Sequence, residues 1–293
     1  MKLGFIGLGA MGRPMALHLL RGGHELAVFA RRPEAAAPLV DAGALACDSP
    51  AEVARRAEVV FTIVTTSADV EQVALGDNGI VQGAAPGSVL VDMSTIAPSV
   101  ARRIASGLEQ RGIEMLDAPV SGGTAGAAAA TLAIMAGGRA EVLDRVRPLL
   151  ELLGKTIVHV GENGAGQVAK ACNQMVMVSV IEAVAEAMHL ANAAGVDAAK
   201  VREALLGGSA QSRVLDLFGG RMVGRDFRPG VEAWLHHKDF GLVLREAADL
   251  GAPLPVSAQV WQQLNALMGA GMARDDTSSL LRVLEAQSGR RAA

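Results

Sequence analysis

The chain of 293 residues contains no tyrosine and only two cysteines. Reductases that protonate their substrate through a tyrosine hydroxyl, such as short-chain dehydrogenases and aldo-keto reductases, are therefore excluded. Cys47 and Cys172 form neither a disulfide framework nor a CxxC metal motif, and this cysteine usage suits a reducing cytoplasm. Cysteine and histidine are also too scarce and too widely spaced for zinc alcohol dehydrogenase chemistry, so we expect no metal site.

Aromatic residues are scarce as well, and the chain has no excess of positive charge. Aromatics make up 3% of the chain, too few for the stacking surfaces of single-strand binders, and the net charge of −3 provides no broad basic field. No uninterrupted apolar run reaches the roughly 18 residues of a membrane span, and residues 1–7 are interpreted as a strand rather than a signal peptide. We expect a cytoplasmic protein that binds neither nucleic acid nor membrane.

The first half of the chain alternates short apolar runs with amphipathic stretches. The predicted strands are residues 3–6, 25–29, 58–64, 88–94, 114–118, 131–136 and 156–160. The predicted helices lie near residues 11–21, 34–41, 51–56, 68–74, 99–110 and 140–153. Continuous apolar strands that alternate with helices indicate a parallel sheet covered on both faces. The sequence therefore predicts an α/β fold, with an N-terminal Rossmann-type doubly wound sheet.

The pattern changes after Gly161. No turn signal interrupts residues 167–194, which predicts one long helix, and residues 175–181 are apolar on all sides, which predicts burial. The remainder is helical, punctuated by glycine and proline pairs. We expect a dinucleotide-binding domain over residues 1–162 and an all-helical domain for substrate binding and oligomerisation over residues 163–293, which includes the long helix.

A GxGxxG motif directly follows the first predicted strand. Its residues are Gly7, Leu8, Gly9, Ala10, Met11 and Gly12. The first glycine permits a tight turn, the second lets the backbone approach a pyrophosphate, and the third allows close packing of helix on strand. The helix N-terminus offers free N–H groups to the phosphates. The motif alone is weak, since it also occurs in turns without function, but its place at the start of an α/β pattern favours dinucleotide binding.

The residue that ends the second strand distinguishes NAD from NADP. An acid there would bind the ribose 2′-hydroxyl, whereas arginine suits a 2′-phosphate. This chain has Ala30, Arg31 and Arg32, with no acid before Glu34. We therefore predict NADP as the preferred cofactor, with NAD as the alternative; both arginines could also be solvated residues at a helix start.

Four blocks, in order along essentially the whole chain, resemble the β-hydroxyacid dehydrogenase family. Residues 7–15 (GLGAMGRPM) are similar to its cofactor signature, and residues 117–123 (DAPVSGG) to its substrate loop. Residues 164–174 (GAGQVAKACNQ) resemble its catalytic block, and Lys238-Asp239 resembles its second cofactor signature. The resemblance implies an NAD(P)-dependent oxidoreductase that acts on short hydroxy acids, and it places Thr95 and Lys238 beside the nicotinamide.

The substrate loop and the catalytic block suit a small carboxylate. Gly122 and Gly123 leave backbone N–H groups accessible to an anion, and Ser121 adds a hydroxyl; without the resemblance, this would be an ordinary tight turn. Lys170 lies at the start of the long apolar helix, with Asn173 and Gln174 three and four residues on, on one face. A random lysine in such a helix would extend to solvent. The resemblance makes Lys170 the general acid and base, and Asn173 and Gln174 the groups that bind substrate or orient the lysine.

The Asn-Gln pair resembles the tartronate semialdehyde reductase branch of the family, as do residues 207–216 (GGSAQSRVLD) and 226–230 (DFRPG). The expected reaction is reduction of 2-hydroxy-3-oxopropanoate to D-glycerate. The alternatives are oxidation of 3-hydroxyisobutyrate or another short 3-hydroxy acid, and a catalytically silent dinucleotide-binding interaction protein. Apolar surface in the helical half predicts a homodimer or homotetramer. The adjacent His236 and His237 are interpreted as structural or solvent-facing residues, not as metal ligands.

Overall fold

The computed structural model describes residues 1–289, which divide into two compact units, Met1–Lys170 and Ala171 onward. The described part of the first unit contains one nine-stranded sheet. Its strands are β1 (Lys2–Ile6), β2 (Glu25–Phe29), β3 (Leu45–Ala46), β4 (Val59–Thr62), β5 (Val89–Asp92), β6 (Glu114–Asp117), β7 (Val120–Ser121), β8 (Leu132–Gly137) and β9 (Gly154–Gly161). Its helices are α1 (Gly12–Arg21), α2 (Ala37–Val40), α3 (Pro50–Arg55), α4 (Ser67–Leu75), α5 (Pro98–Glu109), α6 (Gly123–Ala128) and α7 (Ala140–Leu150).

The strand order β3-β2-β1-β4-β5-β6-β8-β7, with β9 beside β8, is that of a doubly wound sheet. Neighbouring residues of one strand belong to cores on opposite faces: Phe5 packs in one core and Ile6 in the other. This double burial explains the continuous apolar strands of the sequence. The predicted fold class is confirmed.

The last two predicted strands extend the same sheet, as expected. The strand direction changes beyond β6: β8 joins β6 in antiparallel orientation, and β9 runs parallel to β8. The two-residue strands β3 and β7 were not predicted, because two residues show no periodicity. Helix α6 was missed because its residues are glycine, alanine and threonine, which give no apolar pattern.

The second unit is helical in the part that the structure describes. A long helix, α8 (Ala165–Ala193), begins in the first unit and continues into the second. The others are α9 (Ala198–Leu206), α10 (Gly220–Val223), α11 (Ala233–Asp249), α12 (Pro255–Gly269) and α13 (Leu280–Ser288). Their core includes Val178, Ile181 and Met188 of α8 and Phe240 of α11.

Helix α8 matches the predicted long helix, but the expected burial of residues 175–181 on all sides is wrong. Val176 is 60% exposed and Leu190 is 70% exposed, on the side of α8 away from the core of its unit. By length and composition alone α8 could cross a membrane. The same is true of core helices of folded proteins, and one face of α8 packs in such a core.

Candidate active site

The three glycines of the turn after β1 have different surroundings. A Cβ on Gly7 (φ +101°) would lie 2.1 Å from the carbonyl oxygen of Ile63, and one on Gly12 would lie 1.9 Å from that of Gly7. A Cβ on Gly9 would meet no atom within 4 Å. Side chains are therefore excluded at Gly7 and Gly12 by the fold, whereas the backbone at Gly9 is open to a ligand. A pyrophosphate-binding turn requires this combination.

The same turn leads into α1, which begins at Gly12. Met11 occupies the N-cap position, and its side chain forms no capping hydrogen bond. Leu8 is buried under the turn, whereas Ala10 is exposed. The N–H of Arg13 already donates to the carbonyl oxygen of Gly9 at 3.1 Å. No capping side chain of Met11 covers this end of α1, which suits the phosphates of a dinucleotide.

A cavity of about 440 Å³ adjoins this turn. Its lining includes residues 6–9 at the end of β1 and in the turn that follows, residues 29–32 at the end of β2 and just beyond, residues 63–65 after β4, and Asp69 of α4. The strand order reverses at β1, so the cavity lies at the crevice where doubly wound sheets bind dinucleotides. Arg31 and Arg32 both line it. The residues present therefore fit a dinucleotide cofactor.

Lys170 lies in the second turn of α8 and is only 7% exposed. Its Nζ donates a hydrogen bond of 2.8 Å to the carbonyl oxygen of Val120. Ser121, the next residue, ends β7, and Gly122 (φ +138°) and Gly123 (φ +63°) follow as exposed residues in conformations that favour glycine. The structure thus places the amine at the backbone that leads into the predicted substrate loop.

Gln167 connects the start of α8 to the loop after β5. Its Nε2 donates to the carbonyl oxygen of Ser94 at 2.8 Å, and its Oε1 accepts from the N–H of Ile96 at 3.1 Å. These two bonds flank Thr95, which follows β5 at the carboxyl edge of the sheet. Sequence reasoning assigned Gln167 no role, although it lies three residues before Lys170 in the catalytic block.

Asp117 is a second residue that sequence reasoning left without a role. Its Oδ1 accepts from the N–H of Gly164 at 2.7 Å, and its Oδ2 accepts from the N–H of Gln167 at 3.0 Å. Burial raises the pKa of Asp117, while these amide bonds at the start of α8 act in the opposite direction. The carboxylate thus fixes the beginning of the helix that carries Lys170.

Asp92 lies beside Asp117 on the neighbouring strand. Its Oδ1 accepts from the hydroxyls of Thr62 at 2.7 Å and Ser94 at 2.6 Å, and Ser94 Oγ accepts from the N–H of Val64 at 2.9 Å. Burial raises the pKa of Asp92 to about 6, against the effect of these bonds. The network connects the ends of β4 and β5 and thereby supports the loop that contains Thr95.

In the helical unit, Gln174 and Lys238 contact Asp239, and Asn173 contacts Gln174. Gln174 Nε2 donates to Asp239 Oδ2 at 2.6 Å, Asn173 Nδ2 donates to Gln174 Oε1 at 2.9 Å, and Lys238 Nζ lies 3.0 Å from Asp239 Oδ1. An ionised carboxylate only accepts hydrogen bonds, so Asp239 determines the orientation of the Gln174 amide and, through it, that of Asn173. The position of Asp239 directly after Lys238 was the only sequence signal for this role.

The two adjacent histidines have structural contacts. His236 is buried and shares a 2.7 Å hydrogen bond with the hydroxyl of Thr277, while His237 stacks on Trp261 and shares a 2.7 Å bond with Asn265. Neither is mainly solvent-facing. Across residues 1–289, no group of three or more His, Cys, Asp or Glu side chains is arranged to hold a metal ion.

Comparisons with known proteins agree with this arrangement. The family described as the NAD binding domain of 6-phosphogluconate dehydrogenase matches residues 2–161, and that described as NAD-binding of NADP-dependent 3-hydroxyisobutyrate dehydrogenase matches residues 164–284. The 2-hydroxy-3-oxopropionate reductase of Escherichia coli is 44% identical over 285 residues, which are 97% of each chain. The NAD-dependent L-serine dehydrogenase of Pseudomonas aeruginosa is 39% identical over 98% of this chain and 99% of that protein.

A solved structure of Mycobacterium tuberculosis 3-hydroxyisobutyrate dehydrogenase with L-serine has a TM-score of 0.89 and 34% identity, over 97% of this chain and 99% of that chain. The doubly wound sheet and its glycine turn, with these matches, define an NAD(P)-dependent oxidoreductase. The chain belongs to the 3-hydroxyisobutyrate dehydrogenase-like β-hydroxyacid dehydrogenase family.

Proposed function

We propose that the chain reduces 2-hydroxy-3-oxopropanoate (tartronate semialdehyde) to D-glycerate, with Lys170 as general acid. The observation that carries this proposal is the buried Lys170 amine, which lies 2.8 Å from the Val120 carbonyl oxygen at the start of the Ser121–Gly123 loop. The 44% identity to a 2-hydroxy-3-oxopropionate reductase supports the substrate. The Asn173-Gln174 pair, which resembles that branch of the family, supports it further.

The dinucleotide would be held by the turn from Gly7 to Gly12 and by Arg31 and Arg32, with Thr95 and Lys238 near the nicotinamide. When bound, the reduced cofactor supplies a hydride to the carbonyl carbon. Lys170 donates its Nζ proton to the carbonyl oxygen, which becomes the hydroxyl of the product, and takes the proton back in the reverse direction. We propose NADPH as the preferred donor, because two arginines and no acid follow β2.

The carboxylate of the substrate would bind at the loop that contains Ser121, Gly122 and Gly123. Backbone N–H groups at the two exposed glycines and the serine hydroxyl are suitable donors for it. Asn173 and Gln174 would hydrogen-bond the substrate or orient Lys170, with their own amides oriented by Asp239. These hydrogen-bond donors and acceptors favour a small polar acid as substrate over a large apolar molecule.

A second candidate reaction is oxidation of 3-hydroxyisobutyrate or a similar short 3-hydroxy acid. The relatives that act on 3-hydroxyisobutyrate and L-serine favour it, because both acids share the β-hydroxy carboxylate. Initial rates with a panel of semialdehydes and 3-hydroxy acids, each with NAD and NADP cofactors, separate the two. A preference for 3-hydroxyisobutyrate over D-glycerate would overturn the first assignment, and cofactor binding without any turnover would indicate a silent binding protein.

Lys170→Met tests the mechanism, since methionine retains an apolar stem in the buried position. We expect kcat to fall roughly 10²- to 10⁴-fold, the usual contribution of a general acid, while the cofactor Kd changes by less than about threefold. Lys155→Met, at an exposed position of β9, is the matched control and should retain activity. Wild-type kcat in the Lys170→Met variant would refute the assignment of Lys170.

We further propose that residues 1–162 form the cofactor domain and residues 163–293 the substrate and oligomerisation domain of a soluble cytoplasmic enzyme. The exposed apolar side chains of α8, Val168, Val176 and Leu190, support self-association through the helical part as a homodimer or homotetramer. Light scattering of the purified protein measures the mass directly. A monomer at micromolar concentration would contradict this proposal.

A further inference from the structure

The proposed nucleotide cavity contains a carboxylate that faces Arg31. Asp69 lies in the first turn of α4, and its Oδ1 forms an ion pair of 3.2 Å with Nη1 of Arg31. Its Oδ2 accepts hydrogen bonds from the N–H of Thr66 at 3.1 Å and from the Thr66 hydroxyl at 2.7 Å. The capping interaction of α4 therefore fixes this carboxylate in the wall of the cavity.

The guanidinium of Arg31 remains accessible to a ligand. The Arg31 side chain is 78% exposed and that of Asp69 is 25% exposed. An ion pair as exposed as this one contributes little net free energy, because water screens the two charges. A phosphate monoester with a charge of roughly −1.5 to −2 can therefore compete for Arg31. Any such phosphate also approaches the negative charge of Asp69, which opposes its binding.

We propose that Asp69 is a specificity-determining residue for the cofactor. Its carboxylate competes with the 2′-phosphate of NADPH for Arg31, and so limits the preference for NADPH and keeps NADH usable. In dinucleotide sites that select NAD, an acid at the end of the second strand hydrogen-bonds the ribose 2′-hydroxyl, at the place where NADP carries its phosphate. Here Phe29 and Ala30 occupy that position, and the acid comes from α4 instead. The inference rests on the proposed binding of the adenosine half in this cavity.

Asp69→Asn removes the charge and retains an oxygen that can accept from Thr66. Glu71→Gln is the matched control, because Glu71 lies on the same helix and pairs with Arg103 at 2.9 Å without lining the cavity. Calorimetric titration with 2′,5′-ADP and 5′-AMP measures discrimination without turnover. We expect Asp69→Asn to tighten 2′,5′-ADP binding roughly three- to tenfold and 5′-AMP binding less than twofold. Glu71→Gln should change neither.

Arg31→Ala tests whether the effect acts through Arg31. In that background, Asp69→Asn should change 2′,5′-ADP affinity less than twofold, since the guanidinium is gone. Unchanged 2′,5′-ADP affinity in the Asp69→Asn variant, or a full gain that persists beside Arg31→Ala, overturns the proposal. Asp69→Ser is a second neutral variant with the same expected gain, should Asp69→Asn fail to fold.

The outcomes for Asp69 and for the proposed function are distinguishable. If the wild-type chain binds both fragments but turns over none of the acids, the proposed reaction is refuted. The same titrations then still decide the role of Asp69. A wild-type chain that binds neither fragment refutes the cavity as a nucleotide site, and the role of Asp69 with it.

Discussion

Glu182, on α8, is a buried acid whose charge the fold does not compensate. It is 5% exposed, and neither carboxylate oxygen has a hydrogen-bond partner among the described residues. Burial, with a smaller contribution from Glu186, raises the pKa of Glu182 from 4.5 to about 7. Since each unit of pKa corresponds to about 1.4 kcal/mol, ionised Glu182 destabilises the folded chain by about 3 kcal/mol.

The direction in which stability changes with pH follows from the number of protons bound by the folded and unfolded chains. Below pH 4.5 the acid is protonated in both folded and unfolded chains and Glu182 has no effect. Between pH 4.5 and about 7 the unfolded chain loses this proton while the folded chain retains it, so the free energy of unfolding falls as the pH rises. Well above pH 7 Glu182 is ionised in both the folded and the unfolded chain, and the free energy of unfolding falls no further on its account. Glu182→Gln removes this titration and should leave the protein more stable at alkaline pH.

Thermal unfolding followed by tryptophan fluorescence measures the effect, because both tryptophans, Trp234 and Trp261, lie in the helical unit. We expect Glu182→Gln to raise the Tm by about 5–10 °C at pH 8 and by less than about 3 °C at pH 5. Glu186→Gln, an exposed acid one turn further on, should have a much smaller effect. A Tm difference that is the same at both pH values would refute the reasoning.

Two further substitutions test the cofactor turn and the start of α8. Gly9→Ala should fold normally, because a Cβ there meets no atom within 4 Å, but should weaken NADPH binding roughly tenfold or more by blocking the backbone, as measured by fluorescence titration. Asp117→Asn should lose one of its two amide hydrogen bonds, at a cost of about 1–3 kcal/mol, and should lower kcat about tenfold by displacing Lys170, with the NADPH Kd within about twofold.

Gly12→Ala is the control for Gly9→Ala, and the Tm is the control measurement for Asp117→Asn. Gly12→Ala should lower the Tm as well as cofactor affinity, since its Cβ would lie 1.9 Å from the Gly7 carbonyl oxygen. Wild-type NADPH affinity in Gly9→Ala would contradict the open backbone at that position. For Asp117, a lower Tm with unchanged kcat would show that the carboxylate only stabilises the fold and does not position the lysine.

The sequence alone was sufficient for the class of fold and for the glycine turn after β1. The periodicity of residues 1–161 predicted the sheet, because strands buried on both faces are continuously apolar, and the glycine spacing predicted the turn after β1. These features depend on residues that are close in the chain. The length of α8 was likewise readable, since no glycine or proline interrupts residues 167–193.

Only the tertiary structure revealed the residues that position the site. Asp117, Gln167 and Asp239 act through hydrogen bonds to partners 50, 73 and 65 residues away, and no local pattern contains such a distance. The pairing of Arg31 with Asp69 spans 38 residues for the same reason. The antiparallel joint between β6 and β8, and the exposed face of α8, also depend on which surfaces meet after folding. The sequence specifies which side chains are present, but their partners depend on which distant segments are brought together when the chain folds.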